Sequence, residues 1–282
     1  MSSLRVFKTT DPPGWHCEDL PGRSTRWLTW SSAFRDFVSS LCKSALRRRV
    51  LLIDVRGCSP YPTSYYLPLD VLSNLHRAKL LEFAAHLHRF PGQSELCLFR
   101  DMLTPPLDGG RIRAVFALLR TALVTLLGDE RAALCSPLPS ARKDLGFRLH
   151  ADLFLTTRLW LIFDDVPDDN TGASLFMTRR DLLKAVRSIR AIPEDTACFV
   201  AALLTKPIAR DSFDRLYRLL HCSRNRWHEA LRTALREKTS AVRFRSGEGY
   251  LIDDRRWLHG RTAVSGKVTS KRFHRLTYGL RS

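Results

Sequence analysis

Hydrophobic and polar positions change their spacing several times along the chain. Before residue 31, Pro, Gly and Trp interrupt any period, so this stretch reads as irregular. From Ser31 to Leu46 the apolar residues Phe34, Phe37, Val38 and Leu41 recur at helical spacing. Arg49–Val55 is an almost continuous apolar run, the pattern of a buried strand, closed by Arg56-Gly57. A Pro- and Tyr-rich loop is predicted over Ser59–Leu67. Leu69–His88 reads as a helix on Leu72, Leu75, Leu80, Leu81 and Phe83. Gly109-Gly110 opens a second strong helix, Arg111–Leu127, which Gly128 ends.

After Arg131 the texture shortens to strands. Candidates are Ala132–Ser136, Phe147–Phe154, Leu159–Phe163 and Ser174–Met177, the last two separated by the turn-rich Asp164–Gly172. Thr178–Lys238 is then mostly helical, with breaks near Pro193 and Pro207. Strands return at Ser240–Phe244, Tyr250–Asp253 and Arg272–Leu280. The order is helices, strands, a long helical insertion, then strands. It predicts an α+β chain of one domain over residues 1–282, with an irregular and helical segment at 1–45 and an insertion at 178–240.

Composition narrows the class. Of the residues 44% are hydrophobic, too many for a disordered chain. The seven cysteines include no C-x-x-C pair, which argues against a zinc ribbon or a disulfide framework and fits a reducing cytoplasm. The N-terminus lacks the apolar stretch of a signal peptide, and no apolar run is long enough to span a bilayer, so a soluble protein with no membrane partner is predicted. The net charge is +18. Residues 179–240 carry 14 Lys/Arg against seven Asp/Glu, and residues 243–282 carry ten against three, so the basic half is the C-terminal one. Such a balance attracts anions without naming them.

Two short motifs carry candidate chemistry. In His150-Ala-Asp152 the His and the Asp are two residues apart within an apolar stretch, so on a strand both side chains project from one face. His16-Cys-Glu18 has the same spacing, but in a Pro/Gly-rich segment it reads as a surface turn. Further on, His259 sits in Trp257-Leu-His-Gly-Arg-Thr262 after a strand and a turn. Two imidazoles and one carboxylate can occupy one face of an iron ion and leave the other face open. Thirteen residues beyond His259 comes Arg272, whose planar fork suits a carboxylate.

These residues resemble the Fe(II)- and 2-oxoglutarate-dependent dioxygenases, in the branch of taurine dioxygenase, clavaminate synthase and gamma-butyrobetaine hydroxylase. The likeness covers roughly residues 45–280, and its most specific segment is Asp253-Asp-Arg-Arg-Trp-Leu-His-Gly-Arg-Thr262. It implies a distorted double-stranded β-helix, a jelly-roll core with flanking helices and a helical insertion between the two ligand segments. It implies His150, Asp152 and His259 as iron ligands, with 2-oxoglutarate and O2 as cosubstrates. Arg272 occupies the place of the family's 2-oxoglutarate arginine, with Lys271 and Arg275 near enough to leave the register open. Ser174, in Thr171-Gly-Ala-Ser174, matches a hydroxyl that bonds the cosubstrate, although the family's usual Gly-Gly is absent. Arg275 and Arg261 are candidate substrate contacts.

The implied activity is oxidation, most simply hydroxylation, of an unactivated C–H in a small, anionic or amino-acid-like metabolite. A nucleic-acid-directed oxygenase is the first alternative, and its substrate would run along the basic half. A non-enzymatic basic RNA- or protein-binding module is the second. A zinc hydrolase ranks lower, since no general base of the H-E-x-x-H kind adjoins either His. The pocket-lining loops are expected at 57–68, 98–110 and in part of 178–240.

Overall fold

In the computed structural model the described residues are 15–19, 25–30, 32–46, 48–58, 63–89, 96–100, 109–136, 147–151, 156–166, 172–205, 210–222, 224–262 and 272–280. The chain begins with strands β1 (Trp15–Asp19) and β2 (Thr25–Trp30), followed by helix α1 (Ser32–Leu46). Next come β3 (Leu51–Asp54), β4 (Thr63–Tyr66), α2 (Asn74–Arg89), β5 (Leu96–Arg100) and the long helix α3 (Gly109–Leu127). Short strands follow: β6 (Ala133–Leu134), β7 (Phe147–His150), β8 (Thr156–Asp165) and β9 (Ser174–Thr178). The described residues of the insertion form the helices α4 (Arg179–Ser188), α5 (Glu194–Thr205), α6 (Arg210–His221) and α7 (His228–Lys238). The chain then runs through β10 (Ser240–Val242), β11 (Gly249–Asp253), β12 (Trp257–Arg261) and β13 (Arg272–Leu280).

The strands form a seven-stranded sheet, β1-β2-β5-β11-β8-β13-β6, a four-stranded sheet, β10-β9-β12-β7, and the ribbon β3-β4. Among the described residues all pairings are antiparallel except β2 with β5. Period-two alternation gives each large sheet two apolar faces. In β8, Leu159, Leu161 and Phe163 join Phe176 of β9 and Trp257 of β12 in one core between the sheets. Trp160 and Ile162 point the other way, into a core shared with α1, α2 and α3. The four-stranded sheet repeats the arrangement, since Leu149, Met177 and Leu258 pack under the insertion helices. The order of layers is therefore helices, large sheet, small sheet, insertion helices. Helix α3 is apolar nearly all round and buried over most of its length, as a central helix must be. Tyr278, fully buried, satisfies its hydroxyl by donating to the Leu87 carbonyl at 3.1 Å, which ties β13 to α2.

Several expectations are corrected. Trp15–Asp19 and Thr25–Trp30 are two paired strands, where an irregular segment was expected. His16 consequently lies on edge strand β1 opposite Thr29, not in a turn. The run at 51–54 is a strand but not a buried one. It is half of a two-stranded ribbon, with Leu51 and Leu52 about half exposed. Its partner β4 lies inside the stretch read as a loop. The helix expected from Leu69 begins as a single 3-10 turn, and α2 starts only after Ser73, whose hydroxyl caps the His76 amide at 3.3 Å. No described helix is long and apolar enough to cross a membrane.

Candidate metal and anion site

His150 and His259 are cross-strand partners on β7 and β12. Leu149 and Leu258 face the insertion helices, so alternation turns both histidines into the space between the sheets. Their rings are 4.4 Å apart at the centroids, and each residue is about 5% exposed. The His150 Nδ1 lies 2.7 Å from the Arg148 carbonyl oxygen. A carbonyl only accepts, so Nδ1 carries the proton and the ring's lone pair resides on Nε2, the form a metal ligand needs. Asp152 lies outside the described residues. Among those described, no group of three or more His, Cys, Asp or Glu is arranged to hold a metal ion. Both imidazoles fit an iron centre in donor type and burial, and His150 in tautomer as well.

Around the pair the same inner faces gather polar groups. Ser174 on β9 is opposite Arg261 on β12, and alternation aims both inward with Phe176 and His259. Ser174 is buried, and Gly172 before it takes φ +70°, the left-handed conformation that glycine adopts readily at a turn. Burial pulls the Arg261 guanidinium below its ordinary pKa. On the facing sheet Leu276 and Tyr278 point to the helices, so Arg275, 4% exposed, points inward. Arg275 shares a cross-sheet row with Leu161 and Tyr250. The Tyr250 ring is 6.2 Å from His259 and 4.8 Å from Phe176. Arg275 therefore stands at the level of the histidine pair, two strands or about 10 Å along the row from Tyr250.

Arg272 opens β13 opposite Asp165, and the register shifts before Phe273. Its backbone is placed, and its side chain lies outside the described residues, as does all of Lys271. The cation that the structure positions on the inner face of this strand is thus Arg275. His274 points to the other side, where its Nε2 lies 3.0 Å from Asp164 beside Gly109. A Cβ on Gly109 would stand 2.3 Å from the Asp164 carboxylate, so a side chain there would have to displace this pair.

Sequence reasoning missed what holds the His259 segment. The fully buried Asp253 ends β11 and accepts from Arg158 at 2.6 Å, from the Arg255 guanidinium at 2.7 and 3.0 Å, and from the Arg255 amide at 3.0 Å. Asp254 donates its amide to Thr157, and its carbonyl accepts from the buried Arg179 at 2.7 Å. Its carboxylate is 3.8 Å from His259 Nδ1. The turn between β11 and β12 is thereby fixed just before the second histidine. An Asp two residues ahead of an Arg is a turn signal, but its partner Arg158 is far away in sequence.

The insertion reaches the site through His221 at the end of α6. Burial, with Arg148, His150 and His228 nearby, outweighs the hydrogen bond to the Leu149 carbonyl and pushes the imidazole down to about 4. The folded chain thus keeps His221 neutral where the unfolded chain binds a proton. That stability is present above about pH 6.5 and is lost as pH falls toward 4. Denaturant midpoints for wild type and His221→Gln at pH 7.5 and 5 check this. The wild type loses up to about 1.4 kcal/mol per pH unit more than the variant, and equal losses would refute it.

No family model matches the chain, and no curated protein does. Solved structures do resemble it. An asparagine oxygenase in complex with Fe(II), 2S,3S-3-hydroxyasparagine and succinate is similar at a TM-score of 0.47 and 14% identity, covering 90% of this chain and 93% of that one. The non-heme iron oxygenase OrfP in complex with Fe, succinate and (3S)-hydroxy-L-Arg is similar at 0.41 and 13%, covering 89% and 92%. The PvcB protein from Pseudomonas aeruginosa is similar at 0.41 and 13%, covering 100% and 96%.

Proposed function

We propose that this chain is an Fe(II)- and 2-oxoglutarate-dependent dioxygenase, with His150, Asp152 and His259 as the iron ligands on a distorted double-stranded β-helix. The observation that carries the reading is the cross-strand pair His150 and His259, buried between two sheets, with the His150 lone pair set on Nε2 by the Arg148 carbonyl. When bound, iron with 2-oxoglutarate and O2 supplies an oxidant for an unactivated C–H and yields succinate and CO2.

The chain's own residues bind, orient and exclude water. Ser174 donates its hydroxyl to the cosubstrate. Arg272 and Arg275 are the two cations of β13 for carboxylates, one for the distal carboxylate of 2-oxoglutarate and the other, with Arg261, for an anionic group of the substrate. A guanidinium fork suits that task in a site lined by apolar walls. Phe163, Phe176, Tyr250 and Trp257 form those walls and keep bulk water from the reacting carbon. The substrate class that fits is a small amino-acid-like metabolite with a carboxylate.

Anaerobic Fe(II) plus 2-oxoglutarate is expected to give a weak visible charge-transfer band. A succinate-release screen over amino acids, small acids and oligonucleotides then finds the substrate. The screen includes asparagine and arginine, whose hydroxylated forms are held in the asparagine oxygenase and OrfP structures. Absence of the band would overturn the reading, and turnover of oligonucleotides alone would move it to the nucleic-acid alternative.

A further inference from the structure

We propose that His221 is a positioning residue for the metal centre: with Arg148 it clamps the edge strand that presents His150. The inference rests on the reading of His150 as an iron ligand. Strand β7 is short and, among the described strands, stands at the end of its sheet, paired with β12 alone. Its register toward β12 is broken between the pairs His150–His259 and Phe147–Arg261. Such a strand has few bonds to fix a side chain that a metal must find within about 0.5 Å.

The other side of β7 meets the C-terminal end of α6. His221 Nε2–H donates to the Leu149 carbonyl at 3.0 Å. In return the Arg148 guanidinium donates to the His221 carbonyl. That carbonyl lies in the last turn of α6, where helix carbonyls lack intrahelical donors and a cation is favourable. The imidazole is seated against Tyr217, with ring centroids 4.8 Å apart. The end of α6 is itself fastened, since His228 Nε2–H donates to the Leu220 carbonyl at 3.1 Å and Cys222 N–H to Arg218 at 2.8 Å.

The consequence lies in the peptide units involved. The Arg148 carbonyl holds the His150 ring at 2.7 Å, and the Leu149 carbonyl belongs to the peptide that leads into His150. Freeing Leu149 and the Arg148 side chain lets this peptide turn, and the His150 ring turns with it. Neither bond of the clamp reaches into the inner face where a substrate would lie. The insertion is thus the outer wall of the metal centre as well as a cover for the small sheet.

The test is anaerobic metal titration of the full chain with Fe(II) or Co(II), together with amide hydrogen exchange of residues 148–151. His221→Phe keeps a ring and removes the donor. It is expected to weaken metal affinity about tenfold, the lower end of what outer partners of a ligand contribute, and to speed exchange in β7. His221→Gln, which returns a donor, restores affinity. Arg218→Ala, exposed on the same helix, changes nothing. Should His221→Phe fail to fold, Arg148→Met breaks the reciprocal bond without entering the insertion core and carries the same expectation. A purely structural His221 would lower the melting temperature but leave metal affinity of the folded chain unchanged, and that result overturns the clamp. A wild-type chain that binds no metal overturns the iron reading itself.

Discussion

His259→Ala is expected to abolish iron-dependent turnover, with metal affinity falling by more than the roughly 100-fold that loss of an outer-shell partner can cost. The argument is one of position. His259 lies on β12, an interior strand of the small sheet, paired on both sides with β9 and β7. Its backbone is held on both sides, so truncation removes the imidazole without moving the strand that carried it. Truncation leaves His150 beside an empty volume next to Tyr250, and a small apolar cavity does not coordinate a metal. The cavity also costs some stability, so circular dichroism must first show a folded variant. Titration with Fe(II) and the 2-oxoglutarate charge-transfer band then read the effect. Arg275→Gln should behave differently: it keeps metal affinity and requires more 2-oxoglutarate or substrate for the same signal. A folded His259→Ala chain that binds iron like wild type would remove His259 from the ligand set.

Much of the fold was legible along the chain because strands covered on both faces keep short, nearly unbroken apolar runs, as β8 does at Leu159–Phe163 and β11 at Tyr250–Ile252. The candidate site was marked by the His150-x-Asp152 spacing, of which the described residues include His150. β1 and β2 were hidden by neighbouring Pro and Gly, which are usual between strands as well as in loops. The ribbon β3-β4 misled in the opposite sense, since Leu51 and Leu52 make a core-like run yet stand exposed. What no local pattern contains is register. That His259 falls opposite His150 is a pairing between distant segments. That Arg275 faces inward follows from Leu276 and Tyr278 packing against the helices, which no spacing from His259 contains. Spacing from His259 alone therefore pointed at Arg272, and the side-chain direction of β13 brings Arg275 forward.

The largest stability effect is expected at Asp253, through the same kind of distant pairing. Asp253 is fully buried, and the Arg158 side chain beside it is 10% exposed, while Arg255 is 44% exposed. Removing the carboxylate leaves a guanidinium buried without its counter-charge, and breaking such a pair costs about 3–5 kcal/mol. Removing Arg255 breaks a bond that solvent largely screens, worth about 1 kcal/mol or less. Asp253→Ala should therefore shift the urea midpoint several times further than Arg255→Ala. Burial alone would raise the Asp253 pKa, but the Arg255 hydrogen bond and the Arg158 charge together hold it below the usual carboxylate range. The sign follows: the ionised pair stabilises the fold above the unfolded carboxylate pKa of about 4, and this is lost as pH falls through the lower folded value. Asp253→Ala should flatten that acid limb. Since Asp253 also anchors the turn that leads into β12, its loss should weaken metal binding more than Arg255→Ala does. Equal and small midpoint shifts for the two variants would mean that the Arg158 ion pair does not hold this turn. The placement of His259 would then rest on the β9 and β7 pairings alone.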